Sequence, residues 1–207
     1  EWQVACKEHG IKPILGIEAY ISATDRFDKR DKAVRSDGTD VYNHIVILAK
    51  DGVGLKNLQR LSEIAWTEGY YYKPRIDLEV LSEHSEGLII LSGCLNGLIS
   101  KAIERNDRDK GLEYARWFHK QFGDDFYIEV QAHNPKEIND GLFSIAEEVG
   151  IKVVATSDCH FPTNDMRELE EILLIMNSHP KQSDMTYEES AKFRNMQQRL
   201  NMLYPDR

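Results

Sequence analysis

Apolar positions along this chain follow two rhythms. Leu55, Leu58, Leu61 and Ile64 return every third residue, with Ala65 beside them. Leu112, Ala115, Phe118 and Phe122 form a second stripe, and Leu142, Ile145, Ala146 and Val149 a third that Gly150 ends. Spacings of three and four place side chains on one face of a helix, and a glycine just past the last apolar position is a common stop. Met166, Leu169, Ile172, Leu173 and Met176 predict a fourth helix. Between the stripes lie short apolar runs at 13–22, 44–49, 87–92, 126–131 and 152–156. Their near-continuous Val, Ile and Leu content predicts strands covered on both faces. Strands alternating with helices predict an α/β fold with a parallel sheet or barrel.

Other segments read as connections. Residues 25–40 are crowded with charge and contain Ser36-Asp37-Gly38, which predicts a surface excursion. Residues 178–183 include Pro180 and mark an exit from the core, and 185–207 read as helical until Pro205. Trp2, Val4, Ala5 and Cys6 resemble the middle of a helix behind a first residue, Glu1, that is not methionine. The chain is therefore expected to begin inside an element, with further sequence upstream.

Composition narrows the function classes. The chain has 207 residues and 41% apolar content, enough for one sizeable core. Its net charge of -9 supplies no global basic field for nucleic acid. No apolar run approaches the roughly 20 residues that span a bilayer, so no membrane association is expected. Three cysteines, Cys6, Cys94 and Cys159, are too few and odd in number for a disulfide framework and suit a reducing cytoplasm.

The chemistry lies in where polar residues interrupt the apolar runs. Asp158 and His160 follow the run KVVAT, Cys94 follows GLIILS after one glycine, Glu18 sits inside a strand, and His44 opens another. In parallel α/β folds functional groups collect at the carboxyl ends of strands. His44, at the start of its strand, fits that rule least well. Two carboxylates, two imidazoles and a thiolate form a metal-ligand set suited to zinc or, through the carboxylates, to manganese. An extended Asp-x-His segment would aim both side chains the same way. Blander readings stand beside these. Asp158 and His160 also read as a loop's capping pair, Cys94 alone as a buried small apolar residue, Glu18 as the partner of a basic neighbour, and His44 as a satisfied half-buried histidine. His133 and the aromatic, basic run Tyr70-Tyr71-Tyr72-Lys73-Pro74-Arg75 read as surface and as a structured loop. Cys159 is expected to point away from its neighbours. No phosphate-binding glycine loop, Walker lysine or nucleophile elbow is present.

The segments GIKPILGIEAYIS (10–22), NHIVILAKD (43–51), GLKNLQRLS (54–62), EGYYYKPRIDLEVL (68–81), SEGLIILSGCLNGLI (85–99), DFYIEVQAHN (125–134) and VVATSDCHF (153–161) resemble, in order and spacing, the PHP (polymerase and histidinol phosphatase) domain of bacterial DNA polymerase III alpha subunits. The resemblance spans about residues 10–177. It implies a partial, distorted (β/α)7 barrel whose strand ends hold up to three divalent metal ions. Residue by residue, Glu18, His44, Cys94, Asp158 and His160 match that family's ligands. Its other ligands, from a His-x-His, an Asp and a Thr-Asp-His segment, have no counterpart here. The expected layout is a PHP domain over 1–178, lacking its first strands, and a helical tail over 179–207 leading toward an absent polymerase region. That tail resembles bacteriophage homologues.

The resemblance implies a replicative DNA polymerase whose PHP domain contributes metal-dependent 3′–5′ exonuclease activity. DNA and other replisome subunits would be its partners. The polymerase's own catalytic aspartates are absent from this chain. The alternatives are a stand-alone PHP phosphoesterase acting on small phosphates and a metal-free structural module of the polymerase.

Overall fold

The structure is a computed structural model that describes residues 2–29, 42–167 and 169–170. In chain order it contains α1 (Trp2–Glu8), β1 (Gly16–Ile21), β2 (Asn43–Ala49), α2 (Gly52–Thr67), β3 (Arg75–Ile76), α3 (Leu78–Glu83), β4 (Leu88–Leu91), α4 (Leu98–Glu104), α5 (Arg108–Phe122), β5 (Phe126–Gln131), α6 (Lys136–Val149) and β6 (Lys152–Thr156). Two units divide the chain. One comprises Glu1–Val130 with Pro135–Thr156, the other Gln131–Asn134 with Ser157–Arg207. The rest of the charged excursion from residue 30, the end of the fourth predicted helix, the exit at 178–183 and the tail at 179–207 lie outside the described residues.

The three amphipathic stripes became helices with identifiable ends. Asp51 caps α2 by accepting from the amides of Val53 and Gly54 at 2.8 and 2.9 Å. Its inner face buries Leu58, Leu61, Ile64 and Ala65. Asp107 caps α5 through Lys110 N, and Leu112, Ala115 and Phe118 face inward. Phe118 stacks on Phe126 of β5, with ring centroids 5.0 Å apart. Gly150, in the left-handed region at φ 80°, ends α6 after it buries Ile138, Leu142, Ile145 and Ala146. Truncating a fully buried member such as Leu61 to alanine costs about 2–5 kcal/mol. Among the described residues no helix is long and apolar enough to cross a membrane.

The sheet has six strands in the order β3-β1-β2-β4-β5-β6. Strands β1 and β3 are parallel, as are β4 and β5, but β2 runs antiparallel to both its neighbours. The expected α/β architecture of a partial barrel is present, its parallel strands corrected to a mixed sheet, and among the described residues the sheet stays open, with β3 and β6 at its edges. Apolar runs report burial and carry no strand direction, so the reversal of β2 left no trace in them. The expectation of cover on both faces holds for β5, which buries Phe126, Ile128 and Val130 on one face and Glu129 and Gln131 on the other, and needs correction for β2 and β6. In β2, Ile45 and Ile47 are fully buried on one face while His44, Val46 and Leu48 on the other are half-buried. None of β6 is buried.

Candidate metal centre

Antiparallel pairing sets directly opposed residues on the same face, and alternate residues of a strand share that face. Tyr20 lies opposite His44, and Glu18 opposite Val46. Glu18, Tyr20, His44 and Val46 therefore share one face, and Ile17, Ala19, Ile21, Ile45 and Ile47 turn toward the core. Because β2 is reversed, its first residues lie beside the carboxyl ends of β1 and β4. His44 opens its strand and still reaches the functional end of the sheet.

The loop after β4 delivers Cys94. Gly93 adopts φ 84°, and a Cβ there would sit 2.7 Å from the carbonyl oxygen of His44. Only glycine lets the loop lie this close to β2. Farther along, the His44 amide donates to Asn96 O at 2.9 Å, and Gly97 forms a parallel bridge with His44. The loop carrying Cys94 is thus tied to the backbone of the residue its thiol meets.

His44 is the hub of the cluster. Its Nδ1 is 2.5 Å from Glu18 Oε1 and 3.4 Å from Cys94 Sγ, and Cys94 Sγ is 3.9 Å from Glu18 Oε1. One ligand atom from each residue lies within 4.8 Å of the others. The hydrogen bond to Cys94, then that to Glu18, outweighs partial burial and raises the His44 imidazolium from its ordinary 6.5 to about 10. Zinc bonds of about 2.0–2.3 Å set neighbouring donors about 3–4 Å apart. The two separations from Cys94 fall in that range. The shorter His44–Glu18 contact is that of a shared proton, which an ion would displace. The donor set of imidazole, thiolate and carboxylate fits a divalent transition metal.

Tyr20 packs edge-on against the His44 ring, with centroids 5.2 Å apart. The sequence reading missed it, although its spacing of two from Glu18 was the available signal. It also missed Glu129, a buried carboxylate on β5 that accepts from Thr156 Oγ1 and whose amide donates to Ser92 Oγ. The rule that singled out Glu18, an acid inside an apolar strand, would have found Glu129. Cys94 is half-buried, a position unlike the fully buried apolar one its bland reading implied.

Asp158 and His160 belong to the other unit. The segment is not extended: Asp158 has φ 47°, a left-handed turn. That turn brings His160 Nδ1 to 2.7 Å from the Asp158 carbonyl and 3.9 Å from its carboxylate. The expected strand-like alignment of the two side chains is thus replaced by a local turn, because β6 ends at Thr156. Cys159 is exposed and His133 half-buried.

The model of the PHP domain family matches residues 1–133. The DNA polymerase III subunit alpha of Aquifex aeolicus (strain VF5) is 43% identical over 176 residues, covering 83% of this chain and 15% of that protein. The same subunit from Thermus aquaticus is 42% identical over 173 residues, 82% of this chain and 14% of the relative. The Borreliella burgdorferi subunit is 38% identical over 181 residues, 86% and 15%. The chain spans only about a seventh of the length of these relatives. With a family model matching well over half its length and such identities across most of the chain, the chain belongs to the PHP domain family, in the form found in DNA polymerase III alpha subunits.

Proposed function

We propose that this chain is the metal-binding PHP region of a DNA polymerase III alpha-type protein and serves metal-dependent hydrolysis of phosphodiesters, as 3′–5′ exonuclease removal of nucleotides during DNA replication. One observation carries the reading: β1, the start of β2 and the loop after β4 bring Glu18, His44 and Cys94 together so that a ligand atom of each lies within 4.8 Å of the rest. Asp158 and His160 are proposed as further ligands. A bound zinc or manganese ion would polarise a phosphoryl oxygen and lower the pKa of water. Cys94 and Glu18 would offset its charge, and His44 would release its proton to accept it. The β1–β2 register sets the backbones of Glu18 and His44 on one face of the sheet. DNA and other replisome subunits are the proposed partners and the cytoplasm the proposed location. The domain limits of 1–178 and 179–207 are proposed with them.

Elemental analysis of purified protein, paired with release of mononucleotides from a 3′-labelled single strand, tests the proposal. Stoichiometric metal with metal-dependent release supports it, and absence of both sinks it. A second reading has its own observation. Glu18, protonated His44 and Cys94 already satisfy one another by ion pair and hydrogen bond, as a metal-free structural module would require. Protein free of metal yet still folded, with stability unchanged by added zinc or manganese, would favour that reading.

A further inference from the structure

Five lysines among the described residues are neutralised. Lys50, Lys101, Lys110, Lys136 and Lys152 each hold a carboxylate within 3.0 Å. Lys73 differs. Among the described residues it makes no ion pair, and its Nζ lies 5.3 Å from the centroid of the Tyr20 ring. A ring face holds an ammonium in place without cancelling its charge. Tyr20 is the same residue that packs edge-on against His44, so a single phenol ring separates Lys73 from the metal centre.

The placement is built into the backbone. Tyr72 adopts φ 60°, strained for an aromatic residue, and the Tyr71 amide closes the turn onto Lys73 O at 3.1 Å. Pro74 restricts Lys73 to extended conformations. Next in the chain, fully buried Arg75 pins the loop by donating to the carbonyls of Gly69, Asp28 and Arg26. The strained turn lifts Tyr72, half exposed, to its tip, and the exposed Tyr42 packs edge-on against Tyr20, with ring centroids 5.3 Å apart.

We infer that Lys73, seated on Tyr20 beside His44, contacts a backbone phosphate of a single-stranded polynucleotide whose neighbouring phosphate lies at the metal centre. This rests on the proposed hydrolysis of phosphodiesters and names the substrate class. A lone phosphate would be held by the centre and would gain nothing from a cation one ring farther out. A strand that continues past the centre presents a second phosphate to Lys73 and bases to the exposed Tyr42 and Tyr72 rings, which stack without regard to sequence. On a chain with net charge -9, an uncancelled cation at this position is what a polyanion requires locally.

Fluorescence anisotropy of a labelled phosphorothioate oligo-dT, which resists cleavage, tests the inference over a salt series with manganese present. Lys73→Ala should weaken binding about fivefold or more and lower the log–log salt slope by about 1. Lys73→Arg should restore both, and Lys50→Ala, which loses a lysine already paired with Asp125, should match the wild type. The inference is overturned if Lys73→Ala binds with unchanged affinity and slope, or if Lys50→Ala loses as much. Hydrolysis of bis(4-nitrophenyl) phosphate by the wild-type chain reports the reaction separately. Hydrolysis together with unaltered Lys73→Ala binding refutes the subsite and leaves the reaction standing. Weakened Lys73→Ala binding with no wild-type hydrolysis supports the subsite and refutes the reaction.

Discussion

Glu18, His44 and Cys94 come from β1, β2 and the loop after β4, and cross-strand hydrogen bonds set all three backbones. Asp158 and His160 share one short segment after β6, ordered by its own turn through His160 Nδ1 and the Asp158 carbonyl. Both regions place non-standard demands on the backbone. At Gly93 the demand, φ 84°, is met by the residue that bears it without strain, whereas Asp158 at φ 47° carries a side chain there. The first region is a site whose geometry follows from the sheet. The second is a pair whose geometry follows from local chain, so its proposed ligand role is separable from fold stability.

Breaking the first region's backbone should have the largest effect. Gly93→Val forces a branched side chain into the left-handed region and drives Cβ against the His44 carbonyl. The expected loss is about 2–4 kcal/mol of stability together with metal binding. Urea denaturation and elemental analysis of the same samples would show both. Retained metal at wild-type stability would mean that the loop does not depend on its contact with β2.

Ligand deletions sharpen the comparison. His44→Ala removes the hub that touches both other donors and should weaken metal binding by about tenfold or more, as read by competition with a chromophoric chelator. Asp158→Asn should weaken it less, because the strand-borne trio remains. The reverse order would make Asp158 and His160 the dominant pair.

Proton linkage comes next in size. The folded pKa of His44 is raised, so its contribution to the EDTA-treated chain is fully present below about pH 6.5. It fades as pH climbs through about 10. Glu18 is well exposed, so screening reduces that contribution to about 1–2 kcal/mol. Metal affinity should move the opposite way and rise across the same window, since an ion requires the neutral ring. Thermal midpoints of wild type and His44→Gln from pH 6 to 10 check the first statement: the wild-type decline should disappear in the variant.

Much of this was legible in the sequence, for reasons that particular elements make plain. The runs 126–131 and 152–156 gave β5 and β6 at their observed limits, with Asp125 opening the first and Ser157 closing the second. The inner faces of α2, α5 and α6 followed from period alone. Strand β3, only Arg75 and Ile76, is too short to show a period, and α3 and α4, of six and seven residues, complete scarcely two turns. Fully buried Arg75 ran against composition, since its burial depends on three backbone carbonyls, of nearby Gly69 and of Asp28 and Arg26 more than 45 residues earlier. Glu18 inside its strand, His44 at a strand's start and Cys94 just past a strand's end were legible as chemical types. Their convergence needed the reversed direction of β2, which is fixed by pairing and leaves no mark on hydropathy.

The smallest effects should fall on the second region's stability, and they separate its two readings. Asp and Asn tolerate the left-handed region better than other side-chain-bearing residues, so Asp158→Asn keeps the backbone preference and removes only the charge. Asp158→Gly removes the strain but frees the unfolded chain by a similar amount. Both variants, with Cys159→Ala as an exposed control, should lie within about 0.5 kcal/mol of the wild type in urea. If Asp158 is a ligand, metal content falls in the Asn and Gly variants alike and holds in Cys159→Ala. If it merely caps its loop, Asn preserves metal content and only glycine disturbs the segment. Loss of metal in Cys159→Ala, with Asp158→Asn unaffected, would show that the thiol and not the carboxylate of this turn serves the ion.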